Sequence, residues 1–437
     1  MSVNRSRAHS SRARVLLLAP HGSYRTSAFF DAAEKLDIEL SLASEGQFSV
    51  ISAYVSGLHI DLHNHDEAMG AILREAAIRP FAGAIGTDDA TTELAAHVAA
   101  ALGLPHNPPD AVRIARRKDL ARARLAAAGV PVPRHCIIDL RRSLVEQAER
   151  VAFPCVLKPL ALSASRGVIR ADHLDALLTA CGRIQRLLRA ENADEGDNIL
   201  VEDFIPGTEV AVEGMLTGGE LDILAIFDKP DSLDGPYFEE TYYITPTRLD
   251  PVTQAEIRRV IGAACAAYGL REGPIHAECR INDAGVWILE VAARTIGGLC
   301  ARLLRLGTGY GLEELVLSHA TGDPLRVASD EQGGAGVLMI PTPGAGILRR
   351  VEGIVAAQSV PFIQEVTILV REGYELTPWP EGGGYLGFIF ARAPTPEQAE
   401  TALRHAHASL HFVVAPLWNL HPDSMTEQGY VAARKAS

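Results

Sequence analysis

At 437 residues the chain is longer than one hydrophobic core usually spans, so two or three domains are expected. Apolar residues make up 47% and charged residues 22%, which excludes a disordered or fibrous chain. The net charge of -13 argues against general binding to nucleic acid or anionic membrane, and no window is as long as a membrane-spanning helix.

In chain order, "MSVNRSRAHSSRAR" is basic and serine-rich and reads as a disordered tail over 1–14. The apolar run "VLLLAP" is too short for a secretory core and reads as a first buried strand. From 15 to 113 strand-like and helix-like pieces alternate: "RVLLLAP", "SAFFDAAEKL", "IELSLAS", "DEAMGAILREAA", "FAGAIGT", "TTELAAHVAAALG". That alternation predicts a Rossmann-like parallel α/β domain. "APHGSY" and "GTDDATT" would then lie at the C-terminal ends of strands, where open α/β sheets bind ligands. "GTDD" (86–89) itself reads as a helix cap rather than the alternative, a substrate-pocket edge. His59, His63 and His65 with Asp66 match no zinc spacing and read as a loop leading to a helix capped near Asp66.

A second region runs from 114 to 325 and a third from 326 to 437. The second opens with a helix in "RRKDLARARLAAAGVPVP" that ends at Gly129, before Pro131 and Pro133 enforce extended chain. Strands follow in "FPCVLKPL", "NILVEDFI", "EVAVEGMLT" and "ELDILAIFDK", and "TQAEIRRVIGAACAAYGL" is an amphipathic helix. The third region is glycine-rich and β-leaning, with a Thr-capped helix in "TPEQAETALRHAHASL". Cysteines 136, 155, 181, 265, 279 and 300 show no CxxC or metal spacing and suit buried thiols in a reducing cytoplasm.

The segment "HAECRINDAGVWILEVAAR" (276–294) reads as a hairpin. By parity, Ala277, Cys279, Ile281, Trp287, Leu289 and Val291 share a core face. His276, Glu278, Arg280, Ile288, Glu290, Ala292 and Arg294 share the other. A three-residue loop of Asp283, Ala284 and Gly285 sets Glu278 opposite Glu290. Two adjacent carboxylates repel unless a cation lies between them, and oxygen-only ligands favour Mg²⁺. Pairing with Arg280 and Arg294 on a solvated surface is the competing reading.

Upstream, Lys158 ends an apolar strand and is followed by "ALSASRGVIR". Its small residues Ser163, Ser165 and Gly167 let backbone N–H groups approach an anion, and Arg166 adds charge. It is no Walker loop. Then comes "VEDFIPGTE" (201–209). Lys118, Lys158 with its small loop, "VEDFIPGTE", and a Glu…Glu-x-x-x-Arg hairpin occur in an order that resembles the ATP-grasp superfamily. Within it, "KPLALSASRGVIR", "EVAARTIGG" and the glycine-rich C-terminal region resemble the L-amino-acid ligases, including the bacilysin-forming type.

The resemblance covers nearly the whole chain. It implies a pre-ATP-grasp α/β domain, a central ATP-grasp fold of two α+β subdomains with a lid at about 134–205, and a β-rich α+β C-terminal domain. It further implies that Lys118 and Lys158 contact the ATP phosphates and that the 163–167 loop closes over them. Glu202 would meet the adenine amino edge, with the backbone of Asp203 and Ile205, and Glu209 the ribose hydroxyls. Glu278 and Glu290 would coordinate Mg²⁺, with Mn²⁺ able to stand in. Arg294 would stabilise the transferred phosphoryl group, and His276 would lie near the substrate carboxylate. Lys229 and Glu240 are weaker candidates for the same cleft. Many members carry Asn two positions after the second glutamate; here Ala292 stands there, which leaves the number of metal ions open.

The implied activity is ATP-dependent joining of a carboxylate to an amine through an acyl-phosphate, releasing ADP and phosphate. The partners would be small molecules, with neither nucleic acid nor membrane; a homodimer is compatible. The alternatives are an ATP-grasp carboxylase acting on bicarbonate and a non-catalytic ATP-binding module.

Overall fold

A computed structural model describes residues 12–45, 57–191, 197–327 and 333–417. Most of the expected N-terminal tail therefore lies outside the described residues. Its last member, Arg14, already belongs to the first strand, with its guanidinium buried and 2.6 Å from Glu75.

The first sheet has four parallel strands in the order Gly57–His59, Glu39–Ser44, Arg14–Leu18, Gly83–Gly86. The strand Arg14–Leu18 is buried at every residue because helices cover both of its faces. Val15 and Leu17 pack with Phe29 of the helix Thr26–Lys35. Leu16 and Leu18 pack with Ile72 and Leu94 of the helices His65–Ile78 and Thr92–Ala101. The cap of the helix His65–Ile78 is Asn64, whose side chain accepts from the Glu67 N–H, two residues before the expected Asp66.

The chain then turns through two helices, Pro109–Arg116 and Lys118–Ala127. Extended backbone at Arg117 breaks them apart, so Lys118 opens the second helix. Gly129 follows with φ +72°, a conformation that glycine adopts without a Cβ penalty. A small antiparallel sheet comes next, ordered His135–Asp139, Asn198–Asp203, Cys155–Pro159, Ile169–Ala171. The helix Leu174–Ala190 covers it through Leu177, Cys181 and Ile184.

The main sheet is antiparallel and eight-stranded. Its order is Gly285–Ala292, Gly273–Asn282, Thr208–Thr217, Glu220–Asp228, Tyr242–Thr245, Gly334–Ile340, Gly387–Ala393, Ile363–Ile368. It runs without interruption across residue 326, so the second and third regions share one sheet. The helix Pro251–Tyr268 packs Ile257, Val260 and Ile261 against one face, where Val210, Val212 and Ile275 lie. Asp250 caps its start and Gly269 its end. The helix Pro396–Ala408, capped by Thr395 as expected, packs near the other end of the sheet. All six cysteines are free thiols, five of them buried. Among the described residues no helix is long and apolar enough to cross a membrane.

Candidate active site

A cleft opens between the small sheet and the free edge of the main sheet. Ten of the predicted residues line it: Lys118, Lys158, Ser163, Ser165, Glu202, Asp203, Ile205, Glu209, Glu278 and Glu290. Arg166, Gly167, His276 and Arg294 do not. The rest of the lining includes Val156, Leu162, Val168, Phe204, Phe238 and Leu289, an apolar slot of the kind that takes a flat ring.

The hairpin departs from simple parity. Glu278 does pair with Glu290 and His276 with Ala292, but Cys279 then pairs with Ile288. A β-bulge leaves Leu289 as the extra residue, and a bulge swaps the faces beyond it. Val286 and Ile288 therefore reach the core, while Leu289 turns into the cleft. The loop has two residues rather than three, since Asn282 pairs with Gly285.

One wall of the cleft holds a buried ionic group. Glu202 accepts from Arg122 Nε at 2.8 Å and is in direct contact with Lys158 Nζ. Burial alone would raise the Glu202 carboxyl, but Arg122 and Lys158 override it and hold its pKa at about 2. The same burial lowers the pKa of Lys158 despite the carboxylate beside it. Arg122 also donates to the Leu289 carbonyl at 2.6 Å, tying the wall to the bulge. Lys118 donates to the Leu162 carbonyl at 2.8 Å and stands 3.9 Å from Glu290.

The floor carries the opposite arrangement. Lys229 Nζ lies 2.8 Å from Glu209, 3.0 Å from Glu278, and in contact with Glu240. These three glutamates place oxygens within 4.8 Å of one another, and Glu290 lies outside that group. Among the described residues the carboxylates that gather most closely are thus not the pair expected from the hairpin, and the weaker candidates Lys229 and Glu240 belong to this group. Glu209 also binds Arg280 at 2.8 Å, and Arg280 in turn donates to the Ile205 carbonyl at 2.8 Å. Burial, with Glu278 adjacent, pushes Glu240 up to about 7 even beside Lys229.

His276 sits between two carboxylates, with Nδ1 2.6 Å from Glu213 and Nε2 3.7 Å from Glu278. Burial disfavours its charge, yet the two glutamates override this and raise its pKa to about 9. Arg294 pairs with Asp89 at 2.9 Å and donates to the Thr295 carbonyl at 3.1 Å. The "GTDD" segment is not the helix cap it was expected to be: the helix Thr92–Ala101 starts after Thr91, with no side-chain cap bond. Asp88 makes the turn bonds to Ala90 and Thr91, while Asp89 reaches Arg294 in the bend that follows the main sheet's edge strand.

The expected phosphate loop is tightly turned: Ala164, Ser165 and Gly167 all have positive φ. A Cβ on Gly167 would meet Pro159 at 2.7 Å, so only glycine fits. This turn aims Ser163 and Ser165 into the cleft and sends Arg166 the other way, to Glu191 at 2.7 Å. Arg166 is thus not the cleft charge that its place in the motif suggested. The Asp203 carboxylate likewise points outward, to Arg134 at 2.7 Å, and its N–H donates to the Arg134 carbonyl.

Comparison with known proteins agrees with this architecture. A profile for the ATP-grasp domain matches residues 151–302, and one for the L-amino acid ligase C-terminal domain 2 matches residues 338–415. The chain belongs to the ATP-grasp ligases. Its structure is similar to that of an L-amino acid ligase from Bacillus licheniformis, with TM-score 0.77 and 25% identity over 93% of this chain and 100% of that one. A D-alanine--D-alanine ligase of Afipia carboxidovorans is 30% identical over 53% of this chain and 70% of its own length. Carnosine synthase 1 of Homo sapiens is 27% identical over 72% of this chain, which spans only 40% of that relative's length.

Proposed function

We propose that this chain is an ATP-dependent carboxylate–amine ligase acting on an amino acid. The observation that carries the reading is the charge layout of one cleft. Lys118 and Lys158 stand at its wall, Glu278 faces Glu290 on its floor, and an apolar slot lies between them. A slot of this kind suits a purine ring with its triphosphate.

The facing pair Glu278 and Glu290 fits a divalent cation of the Mg²⁺ type, because both side chains offer carboxylate oxygens. Glu278 commits Oε1 to Lys229, so the residues left to hold Mg²⁺ are Glu278 through its other oxygen and Glu290. The bound ion would neutralise phosphate charge. Lys118 and Lys158 would orient the phosphates, and Glu209 would take the ribose hydroxyls once Lys229 and Arg280 share it with the nucleotide.

A carboxylate is a poor electrophile towards an amine. Transfer of the terminal phosphoryl group to it gives an acyl-phosphate with a good leaving group. The protein's part is positioning and charge stabilisation rather than covalent help. Arg294, held in place by Asp89, would meet the charge that develops on the moving phosphoryl group. His276, kept protonated by Glu213 and Glu278, would present a cation to the substrate carboxylate. The 163–167 loop would keep water from the intermediate.

The test is ADP release from Mg-ATP with a panel of amino acids, with products of mixed amino acids read by mass spectrometry. Amide or dipeptide formed in step with ADP is the expected result. ATP binding without turnover for any acid and amine pair would overturn the reading.

A further inference from the structure

The phosphate loop has two faces, and only one of them belongs to the cleft. On the other side, Trp379 Nε1 donates to the Ala164 carbonyl at 3.0 Å. The Gly167 N–H donates to the Pro380 carbonyl at 2.8 Å. Arg166 Nε donates to the Glu381 carbonyl at 3.3 Å. Three successive residues of one C-terminal segment thus each hold a residue of the loop.

The segment is itself firmly anchored. Trp379 is buried and packs on Tyr385 with ring centroids 5.1 Å apart, and Tyr385 meets Phe388 of the main sheet at 6.2 Å. The Glu381 carboxylate accepts from Arg183 Nη2 at 2.7 Å, and Arg183 belongs to the helix Leu174–Ala190 that covers the small sheet. A Cβ on Gly383 would meet Arg166 Cδ at 2.6 Å, so glycine is what lets the segment approach the loop.

The loop needs such support. Ala164 and Ser165 hold φ of +57° and +54° in succession, a left-handed pair without glycine. Residues in that region persist only where their surroundings impose it. Here the surroundings are Trp379, Pro380 and Glu381.

We propose that Trp379, Pro380 and Glu381 form a catch that holds the phosphate loop over the cleft, which makes Trp379 a positioning residue. Its catalytic consequence rests on the ligase reading above; the catch itself does not. With the catch released, the loop opens more often and the nucleotide is held less well. Water also reaches the acyl-phosphate. Its oxygen attacks, the bond between the acyl group and phosphate breaks, and the free acid and inorganic phosphate return without an amide. ATP is then consumed with no product.

Trp379→Phe keeps an aromatic ring on Tyr385 and removes the N–H donor. Trypsin cleavage after Arg166 in the nucleotide-free protein should be about fivefold faster than in wild type, the worth of one hydrogen bond. Saturating ATP should restore protection. KM for ATP should rise by a similar factor while kcat changes little, and the ratio of ADP to amide should increase. A residue that merely supports the fold would lower the melting temperature and leave the cleavage rate after Arg166 and the ADP-to-amide ratio unchanged. Glu381→Gln, which loosens the same segment from Arg183, should behave alike and carries the test should Trp379→Phe not fold. Wild-type cleavage after Arg166 and an unchanged KM in the folded variants would overturn the proposal. Absence of turnover in wild type would overturn the ligase reading instead, and the trypsin arm would still judge the catch.

Discussion

The two buried ionic groups of the cleft are built in opposite senses. On the wall, two cations, Arg122 and Lys158, enclose one carboxylate, Glu202. On the floor, one ammonium, Lys229, is enclosed by three carboxylates, with Arg280 added on Glu209. The wall therefore has positive charge to spare for an anion, and the floor has negative charge to spare for a cation. The state of the carboxyls reflects this. Glu202 is held at about 2, whereas Glu240 is pushed to about 7 because burial and Glu278 outweigh Lys229. A triphosphate with its metal ion has the charge pattern that would complete both ends.

Lys229 is the residue on which the floor's charge balance depends most. Lys229→Met leaves three carboxylates, Glu209 buried and Glu240 and Glu278 half-buried, without the buried cation they share, and the expected loss of stability is about 3 kcal/mol. Mg²⁺ should then raise the melting temperature of the variant more than that of wild type, because the vacated centre is ringed by oxygens. Equal Mg²⁺ responses in thermal unfolding would show that the floor has no spare negative charge.

At the wall, Glu202→Gln strands Arg122 and Lys158 without a counter-charge, at a cost on the order of 3 kcal/mol. The sign with pH is fixed by the depressed pKa of Glu202. Its contribution is fully present above the ordinary value of 4.5 and is lost as pH falls towards about 2. Wild type and variant should therefore converge in stability as pH is lowered through that window, measured by denaturant unfolding. A constant difference down to pH 2 would contradict the assignment.

Lys118 tests the same surplus in turnover rather than stability, since it has no tight carboxylate partner, with Glu290 3.9 Å away. Lys118→Ala should lower kcat/KM for ATP about 100-fold, near the 2.7 kcal/mol lost with a single transition-state donor. Its melting temperature should move little. A variant that keeps most of its ATP turnover would contradict the proposed contact of Lys118 with the phosphates.

Much of this layout is legible in the amino-acid sequence. Strand and helix alternation marks the N-terminal sheet, and the ordered lysines and glutamates mark the cleft. What escapes the sequence does so for physical reasons. Arg122 sits among other arginines in "RRKDLARAR", and helical spacing does not separate a buried guanidinium from a solvated one. Leu289 escapes because parity assumes an unbroken ladder, and the bulge at that point exchanges the two faces. Trp379 meets Ala164 from 215 residues away, a distance over which no local pattern speaks. Arg166 looks like a phosphate ligand by position alone, and the left-handed turn at Ser165 sends it outward.

The smallest expected effect lies where the N-terminal domain touches the floor. Asp89 follows the edge strand Gly83–Gly86 of the parallel sheet, yet its carboxylate is 2.9 Å from Nε of Arg294, just past the edge strand Gly285–Ala292 of the main sheet. Burial would raise this carboxyl, and Arg294 overrides it to lower its pKa, so the pair is ionised at neutral pH. The pair leaves both Nη groups of Arg294 directed by a fixed Nε, with one of them donating to the Thr295 carbonyl. Asp89→Asn keeps an oxygen that can accept from Nε but removes the charge that fixes the fork. The guanidinium stays in place on average and loses some of its aim. The expected loss in kcat is about tenfold, or 1.4 kcal/mol, with KM for ATP unchanged. Asp89→Ala, which removes the acceptor altogether, should lose more than Asp89→Asn. Wild-type activity in both variants would mean that the N-terminal domain does not position Arg294, and that the floor alone sets the geometry of phosphoryl transfer.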